Sequence, residues 1–170
     1  MGLPKVLKDM MLFNEAEAYI GQVSSVTLPK LGRKLEGWRG AGMDRQLKVD
    51  LGAADDLDLE FSCGGPMRQV LAQHGIMSVA GVYLRFSGYY QDDETGDYVN
   101  IDIIVRGRHE EIDMGEAKPG EMGEFKVKTA AAYYRLDWNG EPLIEDDPLN
   151  RVLIVDGTDR MAERRAALGV

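Results

Sequence analysis

Along most of this chain apolar and polar residues alternate with a period of two, and no other feature constrains the fold as strongly. Successive side chains of a strand point to opposite faces, so this alternation marks strands with one buried and one wet face. In Leu57-Asp58-Leu59-Glu60-Phe61-Ser62-Cys63 the odd positions are apolar and the even ones polar. Val82, Leu84 and Phe86 alternate with Tyr83, Arg85 and Ser87, and Val99, Ile101, Ile103 and Val105 alternate with Asn100, Asp102 and Arg106. Ile104 breaks that pattern and predicts an apolar neighbour on the second face. Phe125, Val127, Thr129, Ala131 and Tyr133 form the last long alternation, with Lys126 and Lys128 opposite.

The punctuation agrees. Asp92–Asp97 reads as a hairpin loop between two strands. Asn139-Gly140 accepts positive φ at both central positions of a tight turn, and predicts a hairpin joining Tyr133–Trp138 to Pro142–Glu145. Two short helices interrupt the strands. Pro66 suits a first helical position, Met67, Val70, Leu71 and His74 then share a face, and Gly75 ends the run. A second helix is expected from Asp159 to Leu168, with Thr158 as N-cap and Gly169 as terminator. Its arginines leave so little apolar surface that a neighbouring subunit is expected to support it. The expectation is a mainly β fold: an antiparallel β-sandwich or partial barrel with one central short helix and one C-terminal helix. A chain of 170 residues fits one domain, spanning 1–170, with a sizeable core. Gly37–Asp56 is the longest stretch without a clear element and reads as a long glycine-bearing loop.

Enzyme signatures are sparse. His74 and His109 are the only histidines, and neither has a second ligand at metal spacing. His74 is expected to be a partly buried helix-end residue, and His109 to sit in a charged turn. The lone Cys63 falls on an inward strand position and reads as a small buried apolar residue. Glu110, Glu111, Asp113 and Glu116 open an acidic stretch, continued by Glu121 and Glu124. Paired carboxylates there would suit a hydrolase, but Gly115, Pro119, Gly120 and Gly123 predict a loop with no rigid support. A solvated loop, or a charged contact with arginines of another copy, fits better. No catalytic, cofactor or metal residue is expected. A formal charge of −9 disfavours binding of nucleic acid phosphates. Met1–Val6 lacks the apolar run of a secretory signal, so a soluble chain made in the cytoplasm is expected.

A series of spaced segments carries a resemblance over the full length: Leu12-Phe13-Asn14, Ser25–Leu31, Arg33–Glu36, Arg39–Met43, Arg106-Gly107-Arg108, Glu111–Glu116, Tyr133–Leu136, Asn150, Asp156–Arg160 and Leu168–Val170. Together they resemble the major tail tube proteins of contractile-tailed phages and R-type bacteriocins. Cys63 and Gly64-Gly65-Pro66 look particular to this chain. The resemblance implies a structural subunit and not an enzyme. It implies hexameric rings, with strands of neighbouring subunits joined into one ring barrel, stacked into the inner tube of the tail. It also implies that 37–56 is a loop reaching the next ring, with Arg39, Gly40, Gly42, Met43, Asp44 and Arg45 as its contact residues, and that 150–170 lies at subunit contacts. Asp58, Glu60, Asn100 and Asp102 are the candidates for the lumen wall. The implied partners are other copies of the chain, a tail sheath, a tape measure protein and a baseplate tube initiator. In a phage, DNA would pass through the lumen without specific binding. The subunit would assemble in the host cytoplasm and reside in the virion tail or bacteriocin particle. The ring-forming tube protein of a type VI secretion apparatus shares this architecture and is the alternative. A β-sandwich hydrolase acting through Glu110, Glu111 or Asp113 is the rival from another class.

Overall fold

The structure, a computed structural model, describes residues 2–53 and 56–170. It is mainly β and antiparallel. The elements in order are β1 (Val6–Phe13), β2 (Val23–Thr27), β3 (Arg33–Trp38), β4 (Leu47–Ala53), β5 (Leu57–Cys63), α1 (Arg68–Leu71), β6 (Val82–Gln91), β7 (Tyr98–Asp113), β8 (Phe125–Trp138), β9 (Glu141–Asp147), β10 (Val152–Val155), β11 (Thr158–Asp159) and α2 (Ala162–Leu168).

Two long strands organise the molecule. β7 and β8 pair along nearly their whole length, with register shifts at Arg106/Gly107 and at His109/Glu111. Beyond the first shift their outer neighbours change. Tyr98–Gly107 of β7 pairs with β6, which pairs with β1, while Tyr134–Trp138 of β8 pairs with β9, which carries β10 and β11. Below the shift, Phe125–Ala131 of β8 pairs with β5, which carries β2. The sheet therefore bends into two layers. Leu84, Phe86, Val105 and Tyr134 of the first layer and Leu59, Phe61, Phe125 and Val127 of the second belong to one core, and none is more than 2% exposed. A strand face becomes this dry only against another layer, and strands that switch layers do so at bulges. Leu12 of β1, Tyr19, and Met67 and Val70 at α1 belong to the same core.

Gly107 sits at the bend. A Cβ there would lie 1.9 Å from the carbonyl oxygen of Ala130, so the two strands approach as only glycine permits. The Asn139-Gly140 turn forms as expected, with φ of 50° and 82°, and joins β8 to β9.

Several local expectations need correction. α1 covers only Arg68–Leu71, with Met67 and not Pro66 before it, and His74 lies past its end and exposed. α2 starts at Ala162, because Thr158 and Asp159 pair with Val155 and Ile154 instead of opening a helix. Of the stretch expected as a loop over 37–56, Gly37, Trp38 and Leu47–Ala53 are strand, in a hairpin of β3 and β4, and 39–46 is its turn; Ala54 and Asp55 lie outside the described residues. Glu110, Glu111 and Asp113 stand on β7, and only the following 114–124 is a loop. Ile104 is half-buried, but its cross-strand partners are Arg85 and Arg135 and not apolar groups.

Candidate assembly interface

The groups most capable of chemistry are occupied by structure. His109 is not in a turn. It points inward from β7, its Nδ1 2.9 Å from Thr129 Oγ1 and its Nε2 2.8 Å from Gln73 Oε1. The amide oxygen of Gln73 only accepts, so Nε2 carries the proton and Nδ1 accepts from the Thr129 hydroxyl. Both ring nitrogens are used in tying the segment after α1 to the long strands. Cys63 is buried, its thiol 3.2 Å from Met67 Sδ, and burial pushes its pKa up to about 11, so it is a poor nucleophile. Among the described residues no group of three or more His, Cys, Asp or Glu is placed to hold a metal ion.

Burial, and secondarily the nearby His74, pull the pKa of His109 down to about 4, from an ordinary 6.5. Between those values the unfolded chain binds a proton that the folded chain refuses. Stability is therefore full above pH 6.5 and falls as pH drops toward 4. The shift corresponds to about 3 kcal/mol. Urea denaturation of dissociated subunits near neutral pH and near pH 4 should show His109→Gln losing clearly less stability than the parent. Equal losses would mean that other groups carry the acid sensitivity.

The hairpin of β3 and β4 is the most unusual surface. It forms its own two-stranded sheet, paired to nothing else among the described residues. Leu47, Val49 and Leu51 share one face of β4, and Trp38 stands opposite Leu47. Trp38 is 63% exposed, Leu47 and Leu51 53%, and Val49 47%. Isolated two-stranded hairpins are marginal in water, and a contiguous apolar face this open marks a contact surface. Arg33 grips Asp50 across the strands through two bonds of 3.0 and 3.1 Å, and this guanidinium, then the Gly52 amide, holds the Asp50 carboxyl below its usual range. At the tip, Met43 N–H donates to Gly40 O, Arg39 Nε donates to Met43 O, and Gly42 takes φ 82°. Arg39, Gly40, Gly42, Met43, Asp44 and Arg45 thus all fall in the turn that caps this arm. The brief alternation of Leu47, Val49 and Leu51 is visible in the sequence, but the stretch around it reads as a loop and not as a paired strand with one apolar face.

The second layer presents two free edges. Among the described residues, β2 pairs only with β5, and the Arg108–Asp113 end of β7 pairs only with β8. The order β7–β8–β5–β2 is antiparallel throughout, so the two edge strands run in opposite directions. Its outer face is polar. Lys128 lies 3.6 Å from Asp58 and 3.7 Å from Glu110, which, Glu110 foremost, raise its pKa. Glu60, Glu111, Asp113 and Lys126 line a shallow cleft beside them. Glu116 stands in the exposed loop and lines an adjoining cleft with Asp113 and Lys126.

The four candidates for a lumen wall are divided. Asp58 and Glu60 are on the outer face of the second layer. Asn100, bonded to Ser87 Oγ at 3.1 Å, and Asp102, 3.7 Å from Arg85, are on the outer face of the first. These faces look away from each other, so only one pair can line a given channel. In the C-terminal segment, α2 buries no residue and is held by Arg165, which donates to Asp159 and to Arg151 O.

A scaffold with free edges and an apolar arm fits a self-assembling part, and comparison with known proteins decides which. Residues 4–169 match the family model described as phage tail tube protein FII. The chain belongs to the phage tail tube family. It is 43% identical to the tail tube protein of Escherichia phage P2, with all of both chains covered. It is 34% identical to the major tail tube protein of Serratia phage KSP20, over all of this chain and 99% of that one. The fold is also similar to that in the cryo-EM structure of the PVC sheath/tube terminator of an extracellular contractile injection system, with a TM-score of 0.57 and 8% identity. The match covers 78% of this chain and 95% of that one, and it is a likeness of fold alone. The relatives are tail tube proteins by name, and in this chain His109 and Cys63 are used in packing.

Proposed function

We propose that this chain is the repeating subunit of the inner tube of a contractile tail, forming hexameric rings that stack into a conduit through a target cell envelope. The observation that carries the reading is the pair of free, oppositely running edges of the second layer. The β2 edge of one copy laid beside the Arg108–Asp113 edge of the next continues an antiparallel sheet around the ring and leaves no edge exposed. Six copies then close one barrel, and the polar faces with Asp58 and Glu60 line its lumen. Asn100 and Asp102 face outward, toward a sheath. Excess negative charge on the inner wall keeps DNA from sticking as it passes, if the particle carries DNA.

The arm reaches along the axis to the neighbouring ring, and the 150–170 segment lies at subunit contacts. A head-to-tail contact of this kind repeats without limit, so a tape measure protein sets the length and a baseplate initiator starts the polymer. Assembly takes place in the host cytoplasm. No observation favours the type VI ring protein over the phage tube. Negative-stain electron microscopy across a concentration series tests the proposal: rings or open-ended tubes are expected. Compact monomers that persist when concentrated and seeded with baseplate would overturn it.

A further inference from the structure

The arm and the acidic loop leave the second layer at opposite ends. β2 stops at Thr27, beside Glu60, toward the end where Leu57 faces Ala131, and the chain passes from there into the arm. At the other end Cys63 faces Phe125, and β7 stops at Asp113 opposite Lys126, where the loop 114–124 crosses to β8. Copies stacked with one polarity therefore bring the arm end of one against the loop end of the next. The two ends are complementary in charge. On the arm Arg33, Lys34, Arg39, Arg45 and Lys48 outnumber Glu36, Asp44 and Asp50. On the other end Glu111, Asp113, Glu116, Glu121 and Glu124 outnumber Lys118, Lys126 and Lys128, and Lys118 and Lys126 pair with Glu121 and Glu124. They are complementary in apolar surface as well. Met122 is 89% exposed and Met114 54%, and flexible thioethers suit an aromatic such as Trp38 and the aliphatic stripe beside it.

We infer that the arm's apolar face seats on the methionine-bearing acidic loop 114–124 of a second copy in the adjoining ring, with the arm's basic residues paired to that loop's carboxylates. This rests on the tube reading and specifies the receiving surface within it. Charge pairing fixes the register of the arm, and burial of the apolar stripe holds it.

Cysteine cross-linking tests the contact. The native Cys63 is 2% exposed and stays silent. Tubes of the Leu47→Cys/Met122→Cys variant should give, on mild oxidation, a ladder of covalent multimers that neither single variant gives. Leu47→Cys/Met77→Cys is the control, because Met77 is 91% exposed but stands outside the loop, its carbonyl accepting a bond from Arg108 of β7. Tubes without a ladder, or an equal ladder in the control, would overturn the contact while leaving the tube reading intact. Failure of the parent chain to form rings or tubes would instead sink the tube reading. A second arm uses charge: Arg39→Glu/Arg45→Glu should stop stacking, and adding Glu116→Arg/Glu121→Arg to the same chain should restore it. A defect that the loop reversal does not relieve would also overturn the contact.

Discussion

Changing Trp38, Leu47 and Val49 together to Ser, Thr and Thr is expected to leave the subunit folded and to stop rings from stacking. None of the three belongs to the core, and all are about half or more exposed, so the folded monomer loses little. Surface changes of this kind typically move stability by only about 0.5 kcal/mol. The assembled state is different, because burying a large apolar side chain contributes roughly 1.5–3 kcal/mol. Three such losses per arm amount to about 5 kcal/mol, and about 1.4 kcal/mol is already tenfold in an equilibrium constant. Every arm of a ring carries the same defect, so the concentration needed for stacking should rise more than about a thousandfold. Sedimentation of tubes, read beside the thermal midpoint of the subunit, separates the two effects. Pelleting at the parental concentration would remove the arm from the ring contact. A midpoint that falls along with pelleting would show the arm to be part of the fold.

How much of this was legible beforehand depended on whether a core stood behind the pattern. The strands of β5, β6, β7 and β8 were visible because each has one face at the core, which forces strict alternation. The turn at Asn139-Gly140 was visible because its backbone demands those residues. β3 and β4 bury neither face against this subunit, so nothing forces strict alternation: Glu36 stands opposite Val49 and Leu35 opposite Asp50, and the stretch reads as irregular. His109 was misplaced for a related reason. Arg108 and Glu110 flank it with charge, but they point outward from a strand on which His109 points in. The start of α2 followed a sound capping signal that tertiary pairing overrode: Asp159 is held in register with Ile154, and its carboxylate takes the Met161 amide and the Arg165 guanidinium. The family likeness was legible throughout, because it rests on spacing over the whole chain. The division of Asp58 and Glu60 from Asn100 and Asp102 was not. Period two assigns a residue to a face, and it is silent about a bend that turns one sheet into two layers.

That bend makes Gly107→Val the substitution with the largest expected effect on folding. Gly107 pairs with Val82 on one side and Ala131 on the other, where β7 passes from one layer to the next. A Cβ would meet the carbonyl oxygen of Ala130 at 1.9 Å, its carbon at 2.8 Å and the Cα of Ala131 at 2.9 Å. These are backbone atoms of a paired strand, so no side chain can rotate away to relieve the overlap. Either β8 moves, which opens the core at Tyr134 and Val127, or β7 loses its register and flips its faces. Forcing extra volume into packed structure typically costs about 1–3 kcal/mol, and a β-branched residue against backbone belongs at or above the upper end. Against a stability of about 5–15 kcal/mol, Gly107→Val should lower both the yield of soluble protein and the urea midpoint, and Gly107→Ala, with the same Cβ but no branch, should give a soluble subunit with a smaller fall in midpoint. The same bend sets the angle between the layer that carries the free edges and the layer behind it. Soluble Gly107→Ala should therefore close rings poorly even where it is folded. Parental solubility and ring yield in Gly107→Val would mean that the approach of β7 to β8 is looser than 1.9 Å implies, and that the layers are set by their cores alone.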